Sequence, residues 1–514
     1  MSASSGQEYA MRTKAADYDA EKTRTTTTTT SQAVQGEKYA EGLGDLQVFK
    51  TSDSENLKLA KDGKTVLIPQ PSDDPEDPLN WSWAKKHMVL LSLVFAALLT
   101  DFGMTYGFVL FQAQAPDFHM TVTAVSQSAS GGLFLQGPAG ILAVPLVQRY
   151  GRLPVLFWSQ SISAFMVLAA ALSPNYACFT AFRALQGWFF FHERTRRVNI
   201  WVFCLLGGPF IGPFLAAWLI QAISWRADFG FLAALHCLAT LLIIAFGDET
   251  LYDRTHSAPR QKGLLARTQL LLGITGFRTR HTRPTIPFIL KQTLLIQLKP
   301  QMLFLTLIYI MVLVAWVIGV NNTISQLLLP PPYSFSGPAF ACAWLAPIIG
   351  AVLGELWGDW FNDWLCARYI CTHNGAYTLE NRLWGAYAPT LVGFTGLILY
   401  GQAYERSLHW AAIEIGWGCL AFEMVAATTA LSAYCLDCFP KHASLVASII
   451  NMWRTTGGFC VVYFQLKWIT TTGADVAFGL QAMILGFAFL AGVVSTQVWG
   501  KKWRIKNPPP MAEN

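Results

Sequence analysis

The chain has 514 residues, of which 53% are hydrophobic and only 13% charged, with a formal net charge of +6. Soluble domains carry about 25% charged residues, so half that share over this length excludes a soluble globular enzyme and implies an all-α, many-spanning membrane protein. The positive charge needs no nucleic acid to explain it, because the basic residues cluster in short stretches between apolar runs.

Residues 1–87 form a polar tail with a six-threonine run, Thr25–Thr30, and no apolar segment. Such a composition buries too little apolar surface to fold alone and is expected to be a disordered cytoplasmic tail. The stretch from Pro75 to Trp83, followed by Lys85 and Lys86, reads as an aromatic and basic approach to a membrane interface.

A spanning helix needs about 20 predominantly apolar residues, and twelve candidates follow. They cover 88–112, 122–147, 153–173, 175–191, 198–221, 228–247, 301–324, 337–361, 383–403, 409–433, 444–469 and 475–499. Six make an N-terminal bundle over 88–247 and six a C-terminal bundle over 301–499. Between them lies a basic segment, 248–300, and after them a tail, 500–514. From Asp248 to Lys299 there are nine Lys/Arg and three acids. Lys/Arg-rich loops are held on the cytoplasmic side, so this segment is expected there, and the even number of spans puts both termini with it. The short loops agree. Arg149, Arg152, Arg194, Arg196, Arg197, Arg368, Lys441, Lys501, Lys502, Arg504 and Lys506 fall on the segment's side, and only Arg226 and Arg406 on the other.

Ionisable groups inside a bilayer cost at least about 2.5–3.5 kcal/mol at the centre and are functional candidates by default. Asp101, within the first span, can bind a proton or a cation; the alternative is a buried partner for a basic residue elsewhere in the bundle. Arg183 in the fourth span and Arg454 in the eleventh keep their charge. Each must therefore face a carboxylate, carbonyls or a wet cavity. Arg183 can steer proton exchange at a nearby acid, and Arg454, with Asn451 one turn earlier, is either a second site group or a structural clamp. Glu414 and Glu423 are nine residues apart in the tenth span, two and a half turns, so they face opposite ways. Glu423 is the deeper and the preferred site residue. Glu355 and Asp359 share a face of the eighth span at i,i+4 spacing, with Asp363 one turn on, and the three read as gating or loop-anchoring acids. Gly208-Pro209 and Gly212-Pro213 weaken the fifth span and permit close approach of a neighbour. Tyr106, Gln112, Trp316 and Asn321 can line a pocket. Asn321-Asn322-Thr323 also matches a glycosylation acceptor, although an amide seeking a polar partner is the preferred reading.

The ten cysteines lie mostly in apolar runs and read as packing residues. Cys435 and Cys438 form a lone CxxC, so no metal and no cofactor are expected. Nor is there an HExxH, a nucleophile elbow or a P-loop, so an enzyme is not expected.

Arg149-Tyr150-Gly151-Arg152 resembles the signature loop of the major facilitator superfamily, and Arg183-Ala-Leu-Gln-Gly187 resembles its fourth-helix motif. The run containing Gly208, Pro209, Gly212 and Pro213 resembles the fifth-helix motif of its drug:proton antiporters. Glu249–Arg254, Asn381–Trp384 and Pro331–Tyr333 are similar to fungal twelve-helix members, and the likeness runs from about Pro69 to the C-terminus. The resemblance implies two six-helix bundles with alternating access, a monomer in the plasma membrane, and a substrate bound near the midplane. It also implies coupling to protons, and export of small organic or cationic compounds such as drugs, toxins or metabolites. Asp101 would exchange the proton and Arg183 would tune that exchange. The chain departs from the pattern twice. Gln148 stands where the signature loop usually has Asp, and the fourth span looks truncated, with only Ala184 to Phe191 between Arg183 and His192-Glu-Arg-Thr-Arg-Arg197. A membrane receptor or scaffold that no longer transports is the rival expectation.

Overall fold

The computed structural model describes residues 72, 74, 77–189, 198–252, 263–373, 378–508 and 510, with the backbone alone for 198–205 and 359. The tail expected over 1–87, the Arg194–Arg197 cluster and the end of the C-terminal tail fall largely or wholly outside these residues.

Every regular element among the described residues is helical. The twelve principal helices are α1 (Trp83–Val109), α2 (Val122–Tyr150), α3 (Arg152–Ala171), α4 (Tyr176–Trp188), α5 (Val198–Leu219) and α6 (Trp225–Phe246), then α7 (Pro300–Leu328), α8 (Gly337–Leu356), α9 (Leu379–Glu405), α10 (Trp410–Cys438), α11 (Pro440–Thr472) and α12 (Ala474–Lys506). All but α4 and α5 are long and apolar enough over the described residues to cross a membrane. Several begin at side-chain caps. Ser82 accepts from the Lys85 N–H, Thr121 from Ala124, Asn175 from Cys178 and Ser224 from Ala227, which satisfies donors that a helix start leaves open. Gly151 turns α2 into α3 with φ +108°, a conformation that disfavours any side chain.

The helices divide into two halves. In the first, α1 packs on α5 and α6, α2 on α4, and α3 on α4 and α6; in the second, α8 and α9 pack on α10, α7 on α11 and α9 on α12. The halves meet along α2 against α11 and α5 against α8. Large apolar side chains such as Phe165, Leu168, Leu241, Met483 and Phe487 point outward and are exposed, as a surface solvated by lipid requires.

Several boundaries differ from those the sequence suggests. α1 starts at Trp83 rather than 88, because Ser82 caps it. α12 runs to Lys506, so the tail begins later than 500. The basic segment is not simply a loop: Leu264–Leu272, Ile274–Arg278 and Ile286–Gln297 are helices, and the last packs on α2 and α11. After α8 the chain passes through a widened turn, Trp357–Phe361, into a further helix, Asn362–Thr372. A widened turn closes i→i+5 rather than i→i+4, so the face assumed to hold both Glu355 and Asp359 is not continuous. Asp363, one turn on, is exposed.

Candidate functional site

The centre of the molecule is built on α1. Counted at about 1.5 Å per residue, Asp101 lies ~27 Å from the start of α1, Gln136 ~21 Å along α2 and Arg454 ~21 Å along α11, so all three fall in one middle layer. The carboxylate of Asp101 is 2.6 Å from the Arg454 guanidinium, and both side chains are buried. Its other oxygen accepts from Gln136 Nε2 at 2.8 Å. Arg454 also donates to Asn451 Oδ1 at 2.9 Å. The pair joins α1 of the first half to α11 of the second.

Glycines bring the layers together. A Cβ on Gly212 would lie 2.6 Å from the Phe102 carbonyl oxygen, and one on Gly208 2.9 Å from the Phe102 nitrogen. The Gly-Pro run of α5, with Pro209 and Pro213 inside the helix, thus presses against α1 beside Asp101. Gly137 of α2 packs on Met452 and Thr455 of α11, next to Arg454.

Arg183 is not the partner of Asp101. Its guanidinium donates to the carbonyls of Gly103 at 2.7 Å and Met104 at 2.6 Å, and to Gln186 Oε1 at 2.7 Å, and it lies 5.4 Å from the Phe229 ring centre. α1 tightens to a 3₁₀ turn at Tyr106–Val109, and a helix end leaves carbonyls seeking donors. Arg183 supplies them, two residues beyond Asp101.

The other expected site residues are dispersed. The Tyr106 hydroxyl donates to Asp228 Oδ1 of α6 at 2.5 Å, inside the first half. Gln112 donates to the Ser325 carbonyl at 3.4 Å, linking α7 to the short helix after α1. Trp316 is buried against Phe464 and Trp468 of α11. Asn321 is fully buried and accepts from Trp417 Nε1 at 2.9 Å, so it is an amide with a polar partner rather than a glycosylation site. Glu423 is fully buried inside the second half, where it accepts from Tyr309 of α7 at 3.1 Å; Tyr309 also bonds Thr390 of α9. It does not join the Asp101 layer by any of these bonds. Gln136 is the site residue that sequence reading missed, and its amide within an apolar, glycine-rich run was the available signal.

At the end that carries the basic segment, Glu249 accepts from the Arg152 N–H at 3.1 Å and the Leu153 N–H at 3.3 Å, capping α3. A Cβ on Gly151 would collide with that carboxylate at 2.5 Å. Arg152 itself donates to Thr250 and Arg149 to the Pro284 carbonyl, each at 3.2 Å. Gln148 donates to Ser444 of α11 at 3.2 Å, a neutral link between the halves. At the far end Ser325 bonds the Phe108 carbonyl at 3.3 Å, and Ser130 pairs with Tyr463 at 2.8 Å.

The family model described as Major Facilitator Superfamily matches residues 93–462. Among curated proteins, an uncharacterised MFS-type transporter of Schizosaccharomyces pombe is 26% identical over 91% of this chain and 93% of its own length. The MFS-type transporter penM of Penicillium rubens is 25% identical over 90% and 94%. Among solved structures, the POT family transporter PepTSo aligns with a TM-score of 0.53 at 12% identity, covering 83% of this chain and 99% of that one. The xylose transporter XylE of E. coli, in a partially occluded inward-open conformation, aligns at 0.50 and 12%, covering 79% and 98%. These two likenesses are of fold. The chain is a multi-pass membrane transporter that belongs to the major facilitator superfamily.

Proposed function

We propose that the chain is a proton-coupled transporter that exports small organic or cationic compounds by alternating access, with Asp101 as the proton-exchanging group. The observation that carries this reading is the buried Asp101–Arg454 pair between the two halves. A proton on Asp101 removes the attraction to Arg454. Proton binding then weakens the midplane contact between halves, which is the linkage a coupled carrier needs. Gln136 and Asn451 orient the two charged groups. Arg183 holds the carbonyl end of α1 and acts on Asp101 by fixing that helix. One proton moved across 100 mV supplies about 2.3 kcal/mol, enough for a gradient of roughly fifty-fold. The basic end faces the cytoplasm by the charge asymmetry of the loops, with both termini there; the working form is a monomer in the plasma membrane.

The test is Asp101→Asn in proteoliposomes. Coupled transport should vanish while expression and folding persist; full activity would overturn the assignment. A second reading, a receptor or scaffold that binds without transporting, is favoured by α4, whose thirteen described residues reach only ~20 Å against a hydrocarbon core of about 30 Å. It requires that no substrate gradient collapse when the protonmotive force is removed.

A further inference from the structure

Asp101, Asp228 and Glu423 each meet a named partner, but Glu414 does not. It is only 7% exposed, and neither carboxylate oxygen has a hydrogen-bond partner among the described residues. Removing an ionised carboxylate from water without a counter-charge carries a large cost, so this group is suited to a ligand.

Its surroundings share a layer. Counted from the far ends of their helices, Glu414 of α10, Tyr400 of α9, Trp344 of α8 and Asn321 of α7 lie about 6 to 10 Å deep. Tyr400, Trp344 and Asn321 are fully buried, and the Tyr400 hydroxyl, Trp344 Nε1 and Asn321 Nδ2 all lack partners among the described residues. The Trp344 and Trp417 rings stand edge to face at 4.7 Å, and Trp417 is tied to Asn321. Glu414 and Trp417, three residues apart, share a face of α10. α10 also packs against α5 of the other half.

A buried carboxyl beside aromatic rings matches an organic cation, whose charge it balances once its proton has left and whose alkyl surface the rings cover. The free amide and indole N–H groups match an acceptor oxygen on the same ligand. We propose that this layer is a recognition site for a small organic cation bearing a hydroxyl or carbonyl oxygen, with Glu414 taking the cationic nitrogen, and Asn321 and Trp344 taking the oxygen. The proposal rests on the transporter reading, since it assigns one part of that carrier's path.

Radiolabelled choline is the probe, and its uncharged carbon isostere is the competitor, measured on the purified full-length protein. The wild type should prefer choline, and Glu414→Gln should weaken choline by about thirtyfold while leaving the isostere unchanged. Equal binding of choline and isostere by the wild type, or undiminished choline binding by Glu414→Gln, overturns the proposal. Should Glu414→Gln fail to fold, Glu414→Asp keeps the charge at a shorter reach. It should retain the preference for choline with lower affinity, and unchanged affinity again overturns it. Gly230→Ala, whose added Cβ would meet nothing within 4 Å, should bind choline as the wild type does. Full transport by Asp101→Asn would refute the central proton site without touching this one, so the two failures are distinguishable.

Discussion

A double-mutant cycle on Asp101 and Arg454 probes the seam directly. Arg454→Gln leaves Asp101 with one bond, from Gln136 at 2.8 Å, and its other oxygen bare. Breaking a buried pair from one side typically costs about 3–5 kcal/mol. Because this pair joins α1 to α11, the cost falls on the arrangement in which the halves touch at the midplane. Once they separate, each group can be hydrated. The ratio of joined to separated forms should therefore fall by about a hundredfold to several thousandfold. Asp101→Asn should act in the same direction, because it leaves the Arg454 guanidinium buried without its counter-charge, bonded to Asn451. The double variant replaces two charges by two amides that can bond each other, so it should recover about 2 kcal/mol or more relative to the sum of the singles. Distances between spin labels on α2 and α11 report the populations. Additive single effects, or distance distributions that do not move, would refute the reasoning.

Three further outcomes follow from local geometry. Gly212→Ala places a Cβ 2.6 Å from the Phe102 carbonyl oxygen, which should cost about 1–3 kcal/mol of stability and lower transport by shifting α1 beside Asp101. Gly230→Ala, which meets nothing within 4 Å, is the control, and thermal unfolding with uptake assays reads both. Glu249→Ala strips the cap from α3 by removing the acceptor of Arg152 N–H and Leu153 N–H. The loss should be about 1–2 kcal/mol, seen as a lower unfolding temperature. Gln148→Asp puts a carboxylate where the neutral link to Ser444 now reaches the start of α11. An anion at a helix N-terminus gains about 0.3–1 kcal/mol, so this variant should hold the basic end closed longer and slow turnover; faster turnover would contradict it.

The long apolar helices and the charged groups inside them were legible because charge is rare in apolar runs. Asp101, Arg183, Glu423 and Arg454 each interrupt a long hydrophobic stretch, and all four are buried. Which cation meets Asp101 was not legible. That depends on how α11 docks against α1 and α2, where Gly137 lets α2 approach Met452 and Thr455 of α11, a contact made across helices rather than along them. Gln136 escaped notice for a related reason: a neutral amide does not register in a search for charges, although it bonds one of the two Asp101 carboxylate oxygens. Asp228 stands at the first position of the sixth expected span, yet α6 starts three residues earlier and buries it against Tyr106. The helices at Leu264–Leu272 and Ile286–Gln297 were hidden by the arginines and lysines around them.

The chemistry of the seam changes with depth. At the far end the halves are held by Gln112 to the Ser325 carbonyl and by Ser130 to Tyr463, and at the basic end by Gln148 to Ser444. Each is a neutral hydrogen bond, worth only about 0.5–1.5 kcal/mol net because water replaces it when the end opens. The midplane instead holds an ion pair, whose separation inside a membrane leaves two costly charges. Thermal motion can part either end at small cost, while the centre resists until one charge is neutralised. On the proposed reading, Gln148 in place of an acid is consistent with this division. A charged lock at the basic end would compete with the centre for control, whereas a neutral one leaves the proton on Asp101 as the event that frees the halves.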